Sequence, residues 1–153
     1  MTRRWKKFGK RNRAILDTNV LIKGLLDPSG TPAQILDLLH TGLYELAVSK
    51  DILEEYRETL EEFPKVPSFL RKALLRKIRF YSKMVHPRKC FHVVRDVKDN
   101  IFIECAVEAH AKYLVTRDYD LLALDPFRGI VILEPNAYLE ILKLTLTSFR
   151  HRR

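Results

Sequence analysis

Along this chain, short continuous apolar runs alternate with longer segments whose apolar residues recur at helical spacing. Residues 14–17 form the first run, which closes on Asp17-Thr18-Asn19. Residues 20–26 continue at helical spacing until Asp27-Pro28-Ser29-Gly30 stops them. Thr31 followed by Pro32 predicts an N-cap with proline in the first turn, opening a helix through Ile35, Leu36, Leu38 and Leu39 that ends near Gly42. Residues 44–49 predict a second strand. Ile52, Leu53, Tyr56, Leu60 and Phe63 then fall on one stripe of a helix over 51–63, which Pro64 ends. Residues 69–85 predict another helix with a basic polar face, either a phosphate track or an ordinary solvated face. Further on, the pattern predicts strands over 91–94, 113–116 and 130–133, a buried helix over 100–111 and a closing helix over 136–146. Strands separated by helices imply right-handed crossovers and a parallel sheet covered on both faces. The expected fold class is therefore α/β, a three-layer α/β/α arrangement with a central parallel sheet of about five strands.

The 153 residues suffice for one well-packed domain and not for two. No stretch reaches the roughly 18 uninterrupted apolar residues of a membrane span. The run after the basic start is far too short for the apolar core of a secretion signal, so a cytoplasmic location is expected. Cys90 and Cys105 lack Cys-x-x-Cys spacing and the histidines lack zinc-ligand spacing, which makes both thiols buried or idle rather than ligands.

The net charge of +9 is unevenly placed. Residues 1–13 hold Arg3, Arg4, Lys6, Lys7, Lys10, Arg11 and Arg13 with no acid, and residues 147–153 add Arg150, Arg152 and Arg153, leaving a body over 14–146 with net charge −1. The expected organisation is a flexible basic arm over 1–13, one domain over 14–146 and a basic tail over 147–153. With Trp5 and Phe8 interleaved, the arm suits phosphate neutralisation and base stacking, which points to nucleic acid. A solvated tail has the same composition.

Candidate chemistry lies where the sheet gathers acids. Asp17 ends the first expected strand, Asp96 and Asp99 follow the third, and Asp118 and Asp120 follow the fourth. Ligand sites in such sheets lie beyond the carboxyl ends of the strands. On the 51–63 helix, Glu55 lies about 110° from the centre of the apolar stripe and Glu54 about 150°, so Glu55 flanks the buried face and Glu54 points outward. Asp99 and Asp118 each also read as helix caps. Asp17, at the end of an apolar strand with no adjacent Lys or Arg, is costly to bury without a cation. Several clustered carboxylates repel one another, and a divalent ion relieves that repulsion. Oxygen-only donors favour Mg2+ or Mn2+ over zinc, and such ions suit phosphodiester hydrolysis.

Four motifs in order, Leu16-Asp17-Thr18-Asn19-Val20, Ser49 with Ile52-Leu53-Glu54-Glu55-Tyr56, Asp96-Val97-Lys98-Asp99-Asn100, and Val115-Thr116-Arg117-Asp118-Tyr119-Asp120-Leu121-Leu122, resemble those of the PIN-domain ribonucleases over about residues 14–142. The resemblance implies that Asp17, Glu55, Asp99 and Asp118 are catalytic and bind Mg2+ or Mn2+, and that Asp120 ligates through water. It further implies that Asn19 and Thr116 orient these ligands by hydrogen bonds, with Asp96 in a supporting role. It implies metal-dependent cleavage of single-stranded RNA by a homodimer, either as the toxin of a toxin-antitoxin pair with an antitoxin partner or as an RNA-processing enzyme. The arm residues Arg3, Arg4, Lys6, Lys7, Lys10, Arg11 and Arg13 are then RNA-binding candidates. A haloacid-dehalogenase-type phosphatase would need Asp at position 19, where this chain has Asn. The alternative from another class is a PIN-like module that binds RNA or protein without cutting.

Overall fold

The computed structural model describes residues 12–151. Five parallel strands, β1 (Arg13–Leu16), β2 (Glu45–Val48), β3 (Lys83–Met84), β4 (Tyr113–Val115) and β5 (Val131–Leu133), lie in the order β3-β2-β1-β4-β5. The first two connections step one way from β1, and β4 and β5 lie on its other side. The strand order therefore reverses at the β1/β4 boundary, where a crevice opens beyond the strand ends.

The helices are α1 (Thr18–Leu26), α2 (Thr31–Asp37), α3 (Lys50–Glu61), α4 (Ser68–Tyr81), α5 (Asn100–Glu108), α6 (Tyr119–Leu122) and α7 (Pro135–His151). α1 packs on α2 and α2 on α7, while α5 packs against β1, β2 and β4. Gly24 permits the α1–α2 approach, because a Cβ there would stand 2.6 Å from Leu36 Cδ1. Gly42, at φ 74°, ends the turn after α2, a left-handed backbone that favours glycine. Ile15, Leu16, Leu46 and Leu114 are fully buried in the central strands, and Tyr44, Tyr56, Phe102 and Tyr138 fill the space beneath the helices. The buried Tyr44 hydroxyl donates to Ile35 O at 2.7 Å, which satisfies its polar end.

The α/β class and the three-layer parallel arrangement are as expected; the third strand is not where the pattern put it. Residues 91–94 form no strand. Phe91 and Val94 are buried, and the N–H groups of Val93 and Val94 donate to Asn100 Oδ1 rather than to a neighbouring strand. The pairing strand is Lys83–Met84, inside the stretch expected to be the end of a helix; α4 stops at Tyr81 and Ser82 is extended. Both residues of this edge strand are exposed, so no apolar alternation announces it. The closing helix runs to His151, so residues 147–151, expected in a tail, are its last turns.

Candidate active site

β1 delivers Asp17 to the crevice. Its backbone carbonyl accepts the Val20 N–H at 2.9 Å and opens α1, while its side chain makes no capping bond. The carboxylate is only 5% exposed, and Oδ2 accepts the Thr116 hydroxyl at 2.7 Å. Thr116, buried at the end of β4, also accepts the Asp118 N–H on Oγ1 at 3.0 Å. The Asp17 N–H donates to Val115 O at 2.9 Å, so backbone and side chain together join the ends of the two central strands.

Asp118 Oδ1 accepts the Leu121 N–H at 3.0 Å and caps α6. Its cap role therefore holds for one oxygen, and Oδ2 takes no hydrogen bond among the described residues. Asp99 does not cap. Its backbone is helical (φ −75°, ψ −18°), its side chain makes no capping bond, and the 3-10 turn Val97–Asp99 runs straight into α5. Asp96 is the residue that caps that turn, accepting the Lys98 N–H at 3.0 Å. It follows a coil rather than a strand, and it is exposed.

On α3, Glu55 is half-buried and accepts the Thr59 hydroxyl at 3.2 Å. Glu54 is exposed and paired with Arg57. None of Asp17, Glu55, Asp99 and Asp118 is in an ion pair among the described residues. Burial holds the Asp17 carboxyl above its ordinary value; the Thr116 hydroxyl opposes this, Asp118 adds to it, and the Thr18 and Asn19 amides pull the other way. Burial, followed by the charges of Asp17, Asp118, Asp96 and Glu55, pushes Asp99 up to about 7. The four acids thus share one electrostatic field.

Other expected residues take different places. Asn19 is exposed on the first turn of α1, and its side chain makes no hydrogen bond to any of the four acids among the described residues. Asp120 is exposed in the first turn of α6. Arg13 is not a free arm cation: it lies in β1, where Nε pairs with Glu45 Oε1 at 2.7 Å and Nη1 donates to Ala109 O at 2.9 Å. Arg3, Arg4, Lys6, Lys7, Lys10 and Arg11 lie outside the described residues. Cys90 is exposed, whereas Cys105 is buried and its thiol is pushed up to about 12 by that burial.

Two positioning residues carry no sequence signal of their own. Asn100 is buried; besides accepting the Val93 and Val94 N–H groups, it donates through Nδ2 to Val94 O and Val97 O, both at 3.4 Å. It thereby pins the segment that delivers Asp99. The Tyr56 hydroxyl donates to Leu16 O and ties α3 to the end of β1 next to Asp17. An Asn after the last acid of a motif, and a Tyr on an apolar stripe, were the only hints.

Among the described residues, no three His, Cys, Asp or Glu side chains are already closed around one point as a metal shell. The donor chemistry nevertheless fits a divalent cation. One buried carboxylate lacks a basic partner, and burial together with four like charges pushes a second, Asp99, up to about 7. Both conditions are relieved by positive charge, and all four donors are oxygens.

Residues 13–120 match the family model of the PIN domain. The chain belongs to the PIN domain family. A relative from Methanocaldococcus jannaschii, an uncharacterised protein, is 33% identical over 117 residues, covering 73% of this chain and 74% of its own. Two solved structures share the fold of this PIN domain. PAE2754 from Pyrobaculum aerophilum superposes with a TM-score of 0.59 at 16% identity, over 87% of this chain and 90% of its own. VapBC2 from Rickettsia felis, solved with a DNA fragment from its promoter, gives a TM-score of 0.55 at 14% identity, over 80% and 98%. Asp17 and Asp118 follow the two strands, β1 and β4, that border the reversal point of the sheet. Among the described residues, no helix of this PIN domain is long and apolar enough to cross a membrane.

Proposed function

We propose that this PIN domain is a metal-dependent endoribonuclease that hydrolyses phosphodiester bonds of single-stranded RNA at Asp17, Glu55, Asp99 and Asp118. The observation that carries the reading is the gathering, beside the sheet's reversal point, of four carboxylates with no ion-pair partner among the described residues; burial, and then the neighbouring charges, push Asp99 up to about 7. Mg2+ or Mn2+ bound among them supplies water activation and charge compensation for phosphodiester hydrolysis. The chain's own part is orientation. The Thr116 hydroxyl fixes one Asp17 oxygen, the α6 cap fixes the rotamer of Asp118, and Asn100 holds the turn that presents Asp99. Asp120, exposed in the first turn of α6, is a further acid for contact through water, and Asp96 and Asn19 take supporting roles.

The decisive test incubates purified protein with a mixed single-stranded RNA pool and Mg2+ or Mn2+. Cleavage that EDTA abolishes and Asp17→Asn lowers by at least about a hundredfold supports the reading. An RNA pool left intact with both ions overturns it and leaves a non-catalytic binding module.

An antitoxin partner belongs to the same proposal, supported by the fold shared with VapBC2 of Rickettsia felis, and a homodimer is proposed with it on the family resemblance alone. A small reading frame beside the gene whose product co-purifies with this chain and suppresses cleavage would establish the toxin role. Its absence would favour RNA processing. Residues 1–11 supply cations and aromatic rings for substrate affinity, and deleting them is expected to reduce the salt dependence of RNA binding.

A further inference from the structure

A groove of ≈ 470 Å³ lies between α3 and α4, away from the acidic centre, with Leu60 and Leu75 among its lining. Its cations divide into two kinds. Arg57 is held between Glu54 and Glu61 within α3, whereas Arg71 Nη1 donates from α4 to Leu60 O at 3.0 Å and Glu61 O at 3.3 Å and fastens the two helices together. Lys72, Arg76 and Arg79 are exposed and in no ion pair among the described residues.

Positions 72, 76 and 79 are spaced i, i+4, i+7 and form one row along α4. Phe69, three residues before Lys72, and Phe80, four after Arg76, extend that side of the helix and are 68% and 80% exposed. Unpaired cations in a row between two bare aromatic rings, over a partly apolar floor, are the combination that tracks a phosphate backbone while bases stack. Residues 1–11 and 152–153 hold no acid and so do not complement this charge. A second copy that brought the same face here would set its own Lys72, Arg76 and Arg79 against this row of like charges. The ring pair distinguishes a nucleic acid from an acidic peptide, which would satisfy the row without needing the rings.

We infer that this groove is an exosite for single-stranded RNA, holding nucleotides that flank the bond to be cut. The inference rests on the ribonuclease reading for its substrate. α3 carries both sites: Leu60, in the groove, is five residues from Glu55, about 8 Å along the helix axis and about 140° around it, so a strand that engages both passes around α3.

The test uses the full chain, a Lys72→Gln/Arg76→Gln/Arg79→Gln variant and a separate Phe69→Ala/Phe80→Ala variant. All these side chains are exposed, and thermal melts check that folding is retained. Substrates are single-stranded RNAs of about 4 and about 20 nucleotides sharing one cleaved core, and binding is followed by fluorescence anisotropy across a salt series. In the glutamine variant the long-to-short ratio of kcat/KM is expected to fall about tenfold, mainly through KM. Its salt slope for the long RNA should fall by about 2, and the alanine variant should weaken long-RNA binding at unchanged slope. Ratios and affinities equal to wild type in both variants overturn the exosite. Unchanged RNA affinity with loss of binding to a labelled poly-glutamate peptide also overturns it, assigning the groove to an acidic protein. If wild type cuts neither RNA, the nuclease reading fails, while the anisotropy arm still decides whether the groove holds RNA.

Discussion

Thr116 Oγ1 donates to Asp17 Oδ2 at 2.7 Å and accepts the Asp118 N–H at 3.0 Å, so a single hydroxyl sets two acids from different strand ends. Thr116→Val keeps the shape and removes both bonds, leaving a buried carboxylate and a backbone N–H without their partner. The expected cost is about 1–3 kcal/mol in stability and about 10- to 100-fold in RNA cleavage. Thr116→Ser restores the hydroxyl and should recover most of the activity. Denaturant melts and cleavage rates of the two variants measured together check this; a loss in Thr116→Ser with none in Thr116→Val would show that only the methyl matters.

Asp99 makes stability depend on pH. In metal-free protein the folded chain keeps the Asp99 proton up to about pH 7, whereas the unfolded chain releases it near 3.8. The folded state therefore binds more protons across that interval, and stability falls as pH rises through it. Asp99→Asn removes the charge without changing the shape. Because the site is half-exposed, the gain at pH 8 is discounted to roughly 1–2 kcal/mol, or about 2–6 °C in Tm. Below about pH 3.8, where both states keep the proton, it should vanish. Saturating Mg2+ should raise the Tm of wild type more than that of the variant. A gain independent of pH would mean that Asp99 does not titrate in this range.

What the sequence disclosed divides along physical lines. The central strands and amphipathic helices were legible because burial imposes a period on them, as in the apolar run ending at Leu16 and the stripe through Ile52, Tyr56 and Leu60. Asp17 stood out because a carboxylate placed directly after an apolar strand is costly to desolvate unless a cation or a donor meets it. The edge strand Lys83–Met84 was hidden because neither side chain is buried, and residues 91–94 misled because Phe91 and Val94 are buried from a coil. Arg13 looked like part of a basic arm by composition, but its partners Glu45 and Ala109 are distant in sequence and visible only once the strands are paired. The choice between cap and free acid at Asp99 likewise depended on a backbone angle that no residue type specifies.

Asn100 is the clearest of these tertiary roles. Its four contacts satisfy the backbone of residues 93–97, which has no strand neighbour to do so. Asn100→Ala leaves the Val93 and Val94 N–H groups without their acceptor and should cost about 2–4 kcal/mol. Hydrogen exchange localises the effect: faster exchange confined to residues 91–100 is expected. Uniform acceleration across the sheet would indicate a general core defect instead. Cleavage should fall in parallel, because the freed turn no longer presents Asp99.

Glu54 and Glu55 are adjacent and chemically identical, so their substitution separates geometry from composition. Glu54 is exposed and shares Arg57 with Glu61; Glu55 is half-buried, bonded to Thr59, and one of the charges that raises Asp99. Glu54→Gln removes a surface ion pair and should change stability by less than about 1 kcal/mol, with cleavage within about twofold of wild type. Glu55→Gln leaves Thr59 an acceptor but removes a charge from the acid cluster. Cleavage should fall by at least about tenfold, and the pH at which Asp99 titrates should move down as one repulsive neighbour disappears. NMR titration of the Asp99 carboxyl, read beside the cleavage rates, checks both. Equal rates in the two variants would remove Glu55 from the site and leave three aspartates to account for the chemistry.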